Sequence, residues 1–154
     1  MEKYIGTKLI EATPAFRMTN GKIVPKDADF HDDLIPERDG YMVRYPDGYT
    51  SFSPKEVFEE AYRRTDGLNF GLAIEAAKKG LKIARAGWNG KEQYVELASC
   101  ISYTEPGGSV VNAEHDAIGN QAFAFVGTSG VQMGWLASQA DMLADDWQIV
   151  DIQA

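Results

Sequence analysis

Trp88 stands in Gly87-Trp88-Asn89-Gly90, and an indole between glycines offers a flat face on which a purine can stack, worth about 1–3 kcal/mol per base. The competing reading is a tryptophan that anchors a hairpin in the core, because large aromatics are mostly buried. Asn89 carries both a donor and an acceptor suited to a base edge or a ribose hydroxyl, and the Gly90 amide can approach a phosphate with no Cβ in the way. Asn-Gly is equally a hairpin turn, and both roles can hold together. Arg85 and Lys91 flank this loop as the nearest cations for a pyrophosphate, Arg as a bidentate fork and Lys as a point charge; the alternative is a pair of exposed strand-end charges.

A second group lies 50 residues on. Ser138, Gln139 and Asp141 open a helical turn whose free N–H groups suit an anion, and Asp141 can accept from ribose hydroxyls. Capping of that turn by Ser138 and Asp141 accounts for the same residues. Trp135 and Trp147 bracket the turn; Trp147 reads as core, and Trp135 fits either the core or a ligand. Asp145 and Asp146 are adjacent, so their carboxyls diverge and make a poor acid–base pair. A surface or capping role suits them better.

Other chemistry finds no foothold. No Ser-His-Asp or Cys-His arrangement and no phosphate-binding Walker loop occurs, so no catalytic residue is assigned. His31 and His115 have no zinc-site spacing, and Cys100 has no partner cysteine; it reads as a small core or strand residue. No metal and no cofactor is expected. The net charge of −8, from 15 Lys and Arg against 23 Asp and Glu, repels DNA and anionic membranes. Lys91 is the last Lys or Arg, so a phosphate bound beyond it must use backbone amides or cations from earlier residues or another subunit. No apolar run reaches the roughly 20 residues of a bilayer span and no signal peptide opens the chain, which points to the cytoplasm.

The 154 residues, 44% hydrophobic, suffice for one domain or two small ones. Lys3 to Met18 reads as a strand that ends near Pro14, and Thr19 to Arg38 as an irregular loop. Residues 40–45 and 49–52 form a hairpin about Pro46-Asp47-Gly48. Ser53 then caps a helix with Pro54 at its first position and Glu56 three residues after the cap, running out at Arg63-Arg64-Thr65-Asp66-Gly67. Tyr41, Tyr45, Tyr49 and Phe52 of the hairpin are expected to pack on Val57, Phe58 and Tyr62 of that helix rather than to stack on bases.

Asn69 caps a second helix with Phe70, Ala73, Ile74 and Ala77 on one face, stopped at Gly80. Strands come next at 81–86, 93–98, 122–126, 131–136 and 147–152, with a turn at 127–130 and a long connection over 104–119. These elements specify an α+β protein: an antiparallel sheet with short helices. A small N-terminal hairpin-helix unit over residues 1–66 precedes a helix-plus-sheet domain over residues 67–154.

Three blocks in the second part carry a resemblance. They are Asn69-Phe70-Gly71 with Ala73, then Gly80, Lys82 and Ala84-Arg85 leading into Gly87-Trp88-Asn89-Gly90-Lys91, and Trp135-Leu136-Ala137-Ser138-Gln139 with Asp141-Met142-Leu143-Ala144 and Asp146-Trp147. Over about residues 68–152 the chain resembles the Thoeris anti-defense two family of phage and prophage proteins. The resemblance implies a protein without enzymatic activity that sequesters a nucleotide-derived immune signal, a cyclic ADP-ribose isomer made by TIR-domain enzymes, in an infected or lysogenic bacterium. Some relatives take cyclic dinucleotides. It also implies a small α+β fold assembled as a homo-oligomer, a dimer or tetramer with pockets between subunits, and it strengthens the ligand-binding reading of Trp88, Asn89, Gly90, Arg85, Ser138, Gln139 and Asp141. The N-terminal extension and the long 104–119 connection depart from the family pattern. The extension looks like an accessory segment of phage proteins, which leaves open a rival reading as a protein–protein interaction module.

Overall fold

The computed structural model describes residues 1–29, 34–88, 92–112 and 121–150, which form two compact units, Met1–Arg63 and a second starting at Arg64. Both are antiparallel sheets with short helices, the α+β class expected.

In the first unit, strand β1 (Glu11–Met18) lies between β2 (Ile23–Pro25) and β3 (Pro36–Arg44), and β4 (Thr50–Pro54) completes the sheet in the order β2-β1-β3-β4. Two expectations change here. The strand does not end at Pro14, which stays in register with Tyr41 of β3. Its carbonyl accepts the Lys26 amide at 2.9 Å on the β2 side, so the proton-less nitrogen faces that side too, beyond the last β1–β2 pair, and no bond to β3 is lost. The segment over 19–38 is also not wholly irregular, since β2 and the start of β3 lie in it; Asn20-Gly21 makes the turn from β1 into β2, with Gly21 at φ +83°.

The hairpin of β3 and β4 turns at Tyr45–Tyr49 as anticipated, with Gly48 at φ +86° and the Asp47 carboxylate accepting the Tyr49 amide. Helix α1 (Lys55–Ala61) is shorter than expected, and Ser53 does not cap it. Ser53 is still paired with Tyr41 as a strand residue, so the extended Pro54 becomes the N-cap and no side chain caps the helix. Tyr41 stacks on Phe58 at 4.1 Å, the hairpin-on-helix packing expected, and Phe58 in turn stacks on Tyr62 at 5.0 Å. Tyr49 and Val57 instead stay exposed, and Tyr49 leans on Tyr45.

Gly40 leaves no room for a side chain: a Cβ there would overlap the Ser53 carbonyl oxygen and lie 2.6 Å from the Phe52 ring. Gly40→Ala is therefore expected to destabilise the first unit by about 1–3 kcal/mol, because strand backbone must move to admit the methyl. Hydrogen exchange at the β3 and β4 amides of the intact chain reads this out; unchanged protection would refute it.

In the second unit Asn69 accepts the Leu72 amide at 2.9 Å and so starts helix α2 (Phe70–Lys78), which Gly80 ends at φ +86°. The helix buries Ala73, Ala76 and Ala77, small residues that let it lie close on the sheet. That sheet holds β5 (Lys82–Arg85), β6 (Tyr94–Ala98), β9 (Ala122–Gly127), β10 (Gly130–Met133) and β11 (Trp147–Val150) in the order β10-β9-β6-β5-β11. Ile83, Val95 and Trp147 are fully buried beneath α2 together with Leu68.

Between β6 and β9 runs a small separate hairpin, β7 (Ser102–Thr104) with β8 (Val110–Asn112), which reaches into what the sequence presents as a plain connection over 104–119. The remainder of that connection, 113–120, lies outside the described residues. Cys100 is exposed in the link after β6, not a core or strand residue, because the strand has ended at Ala98. A short helix α3 (Gln139–Met142) leads into β11.

Candidate functional site

Antiparallel pairing of β11 with β5 sets Trp147 opposite Arg85, and this register brings two distant stretches of sequence together. The exit of β5 carries Arg85, Gly87 and Trp88; the approach to β11 carries Ser138, Asp141 and Asp146. Asn89, Gly90 and Lys91 lie outside the described residues, so the site is built from what surrounds them.

Arg85 is no exposed strand-end charge. Its side chain is 22% exposed, its Nε donates to Asp146 Oδ1 at 2.8 Å, and its Nη1 donates to Asp141 Oδ1 at 3.1 Å. One guanidinium thus ties the β5 exit to both carboxylates of the approach to β11. The hydrogen bonds to Asp146 and then to Asp141 raise the Arg85 pKa further.

Ser138 and Asp141 form a complete capping box on α3. The Asp141 amide donates to Ser138 Oγ at 3.1 Å, while the Ser138 amide and hydroxyl donate to Asp141 Oδ2 at 2.9 and 2.7 Å. Gln139 is the first helical residue and is exposed. The Trp147 indole N–H reaches the Asp141 carbonyl at 2.8 Å, which links the cap to the core.

Trp88 is half-buried rather than fully displayed. Its ring meets Phe125 at 5.4 Å, Trp147 at 5.4 Å and Trp135 at 6.3 Å, each edge-on, and Trp135 meets Trp147 at 6.0 Å. Trp147 is core as expected, with no exposed surface, and Trp135 joins the same cluster. All three tryptophans of the chain thus form one aromatic group.

Asp146, to which the sequence gives only a surface or capping role, instead holds the exit of β5. Its carboxylate takes Arg85 and also the Gly87 amide at 3.3 Å, while its carbonyl accepts the Ala86 amide at 3.0 Å. A strand register between partners some 60 residues apart is not legible in local spacing. The only hint is the position of Asp146 directly before Trp147 in the third block.

The electrostatics are coupled. The Arg85 hydrogen bonds hold the Asp146 carboxyl below its usual value against desolvation. For Asp141, desolvation pushes upward, but the hydrogen bonds from Ser138 and Arg85 together outweigh it and the carboxyl is held low. Folded carboxyls that titrate below the ordinary aspartate value of about 3.9 stabilise the unit above that value. The contribution is lost as pH falls through the folded values. Thermal melts between pH 7 and 3 should therefore show a steeper acid loss for the natural chain than for Asp141→Asn/Asp146→Asn, which starts lower at pH 7; parallel curves would contradict this.

Among the described residues no group of His, Cys, Asp and Glu is arranged to hold a metal ion, and no helix is long and apolar enough to cross a membrane. With this geometry in view, the comparisons with known proteins are informative. The profile of the Thoeris anti-defense 2-like domain matches residues 68–150. The protein Thoeris anti-defense 2 of Bacillus phage SP01 is 33% identical over 87 residues, covering 54% of this chain and 94% of that relative. The family match falls on the unit that carries the tryptophan cluster.

Proposed function

This chain belongs to the Thoeris anti-defense 2-like family, and we propose that it binds a nucleotide-derived immune signal, a cyclic ADP-ribose isomer, and withholds it without cleaving it. The observation that carries this reading is the convergence of Arg85, Trp88, Ser138 and Asp141, drawn from two distant blocks, at one end of the β5–β11 pair. A half-buried indole held by aromatic neighbours is a rigid platform for a purine. Beside it the capping box and Arg85 supply ordered polar groups for ribose and phosphate, and Gln139, Asn89 and Gly90 complete the proposed set.

Binding without turnover fits the state of the carboxylates. Asp141 and Asp146 are both paired with Arg85 and held low, so at neutral pH neither carries a proton to donate and both are weak bases. Arg85 is itself engaged by two carboxylates, so the phosphates must be met largely by backbone amides or by a neighbouring subunit in a dimer or tetramer. Residues 1–66 are assigned to an accessory unit, in keeping with a family match that begins at Leu68.

Calorimetric titration of the whole protein with a panel of cyclic ADP-ribose isomers and cyclic dinucleotides tests the proposal, followed by chromatography of ligand released by heat. Submicromolar binding of an ADP-ribose isomer recovered intact is the expected result. Preference for a cyclic dinucleotide would replace the ligand, a cleaved product would make the protein an enzyme, and no binding across the panel would overturn the reading in favour of a protein-interaction module.

A further inference from the structure

We propose that Asp146 is a positioning residue that fixes the segment Arg85–Gly87 as it leaves β5 and thereby sets where the Trp88 indole meets a nucleotide base; this rests on the function proposed above. Three consecutive residues are held by this one aspartate. Its carboxylate takes Arg85 Nε at 2.8 Å and the Gly87 amide at 3.3 Å, and its backbone carbonyl takes the Ala86 amide at 3.0 Å. The next residue along is Trp88, whose amide donates to the Arg85 carbonyl at 3.3 Å. β5 ends at Arg85, so these bonds replace a sheet ladder just where the chain would otherwise be free to choose its direction.

The division of labour between the two aspartates supports the assignment. Asp141 is occupied on one oxygen by the Ser138 cap and on the other by Arg85, and it serves α3. The Asp146 side chain is 37% exposed, so it adds little to the core. Among the described residues its hydrogen bonds go to the lead-in to Trp88. A platform held in its binding geometry before the ligand arrives avoids the affinity lost when only a fraction of molecules is competent.

The test uses the whole protein labelled with 5-fluorotryptophan, whose three indoles give separate fluorine resonances, the Trp88 line being assigned with Trp88→Phe. In Asp146→Asn the Trp88 line should shift or broaden while the Trp147 line stays in place, and affinity for a cyclic ADP-ribose isomer should fall roughly 10- to 100-fold, the scale of losing hydrogen bonds to a charged group. An unchanged Trp88 line with unchanged affinity would overturn the proposal and leave the proposed function standing. If the natural chain binds nothing in the panel, that function fails, and the Trp88 line alone decides the role of Asp146. Should Asp146→Asn not fold, amide exchange in the natural chain decides: slow exchange at Ala86 and Gly87 supports the assignment, and rapid exchange at both overturns it.

Discussion

Trp147→Ala is expected to cost the second unit about 3–5 kcal/mol of stability. Trp147 has no exposed surface, packs against Phe70 at 5.6 Å and against Trp88 and Trp135, and sits in the cluster that α2 closes with Ala73 and Ala77. Its truncation opens a cavity that rigid backbone on both sides cannot collapse into. The indole N–H is lost as well, which takes from the Asp141 carbonyl its 2.8 Å donor and leaves it only backbone amides of the following turn, that of Ala144 at 3.4 Å. A stability of about 5–15 kcal/mol is typical of small domains, so this loss is a large fraction of the margin. Trp147→Phe should lie between the two, keeping much of the apolar contact without the hydrogen bond. Urea titration of the intact chain, followed by near-ultraviolet circular dichroism, measures the ranking; equal stability of Trp147→Ala and the natural chain would remove Trp147 from the centre of the core.

Trp88→Ala should act on binding in the way Trp147→Ala acts on folding. Loss of one stacked base is worth about 1–3 kcal/mol, which is roughly 5- to 150-fold in affinity for the cyclic ADP-ribose isomer bound by the natural chain. Trp88 is half-buried and at the edge of the cluster, so the fold should survive with a lower melting temperature. Trp88→Phe retains a smaller aromatic face and should recover part of the affinity. Calorimetry on all three chains, each checked for folding by its thermal melt, separates the two effects. A folded Trp88→Ala that binds as tightly as the natural chain would exclude this indole as the platform.

Local sequence separates the two tryptophans only in part, reading Trp147 as core and leaving Trp88 between core and platform. Both stand next to a turn or a helix end, and both lie in blocks that carry the family resemblance. Burial separates them: Trp147 sits on a strand whose edge is covered by the chain around Leu68, whereas Trp88 lies just past the end of β5. Capping was more legible. Asn69 and Ser138 are marked as caps by their own residue type and by the residues of the first helical turn after them, and both cap as expected. Ser53 carries the same signature but remains in strand β4, where pairing with Tyr41 outweighs the local preference.

The sequence by itself determined the features that depend on neighbours within a few residues: the turns at Asp47-Gly48 and Gly127–Gly130, the start of α2, the capping box of α3 and the α+β class that alternation and helix period imply. The motif blocks add family membership, because a combination of residues is specific even when each is common. Only the tertiary structure decided the pairing of β5 with β11, and with it the meeting of Arg85 with Asp141 and Asp146. Strand register across some 60 residues is set by which apolar side chains find the shared core under α2, a balance over the whole unit that no short stretch of sequence records.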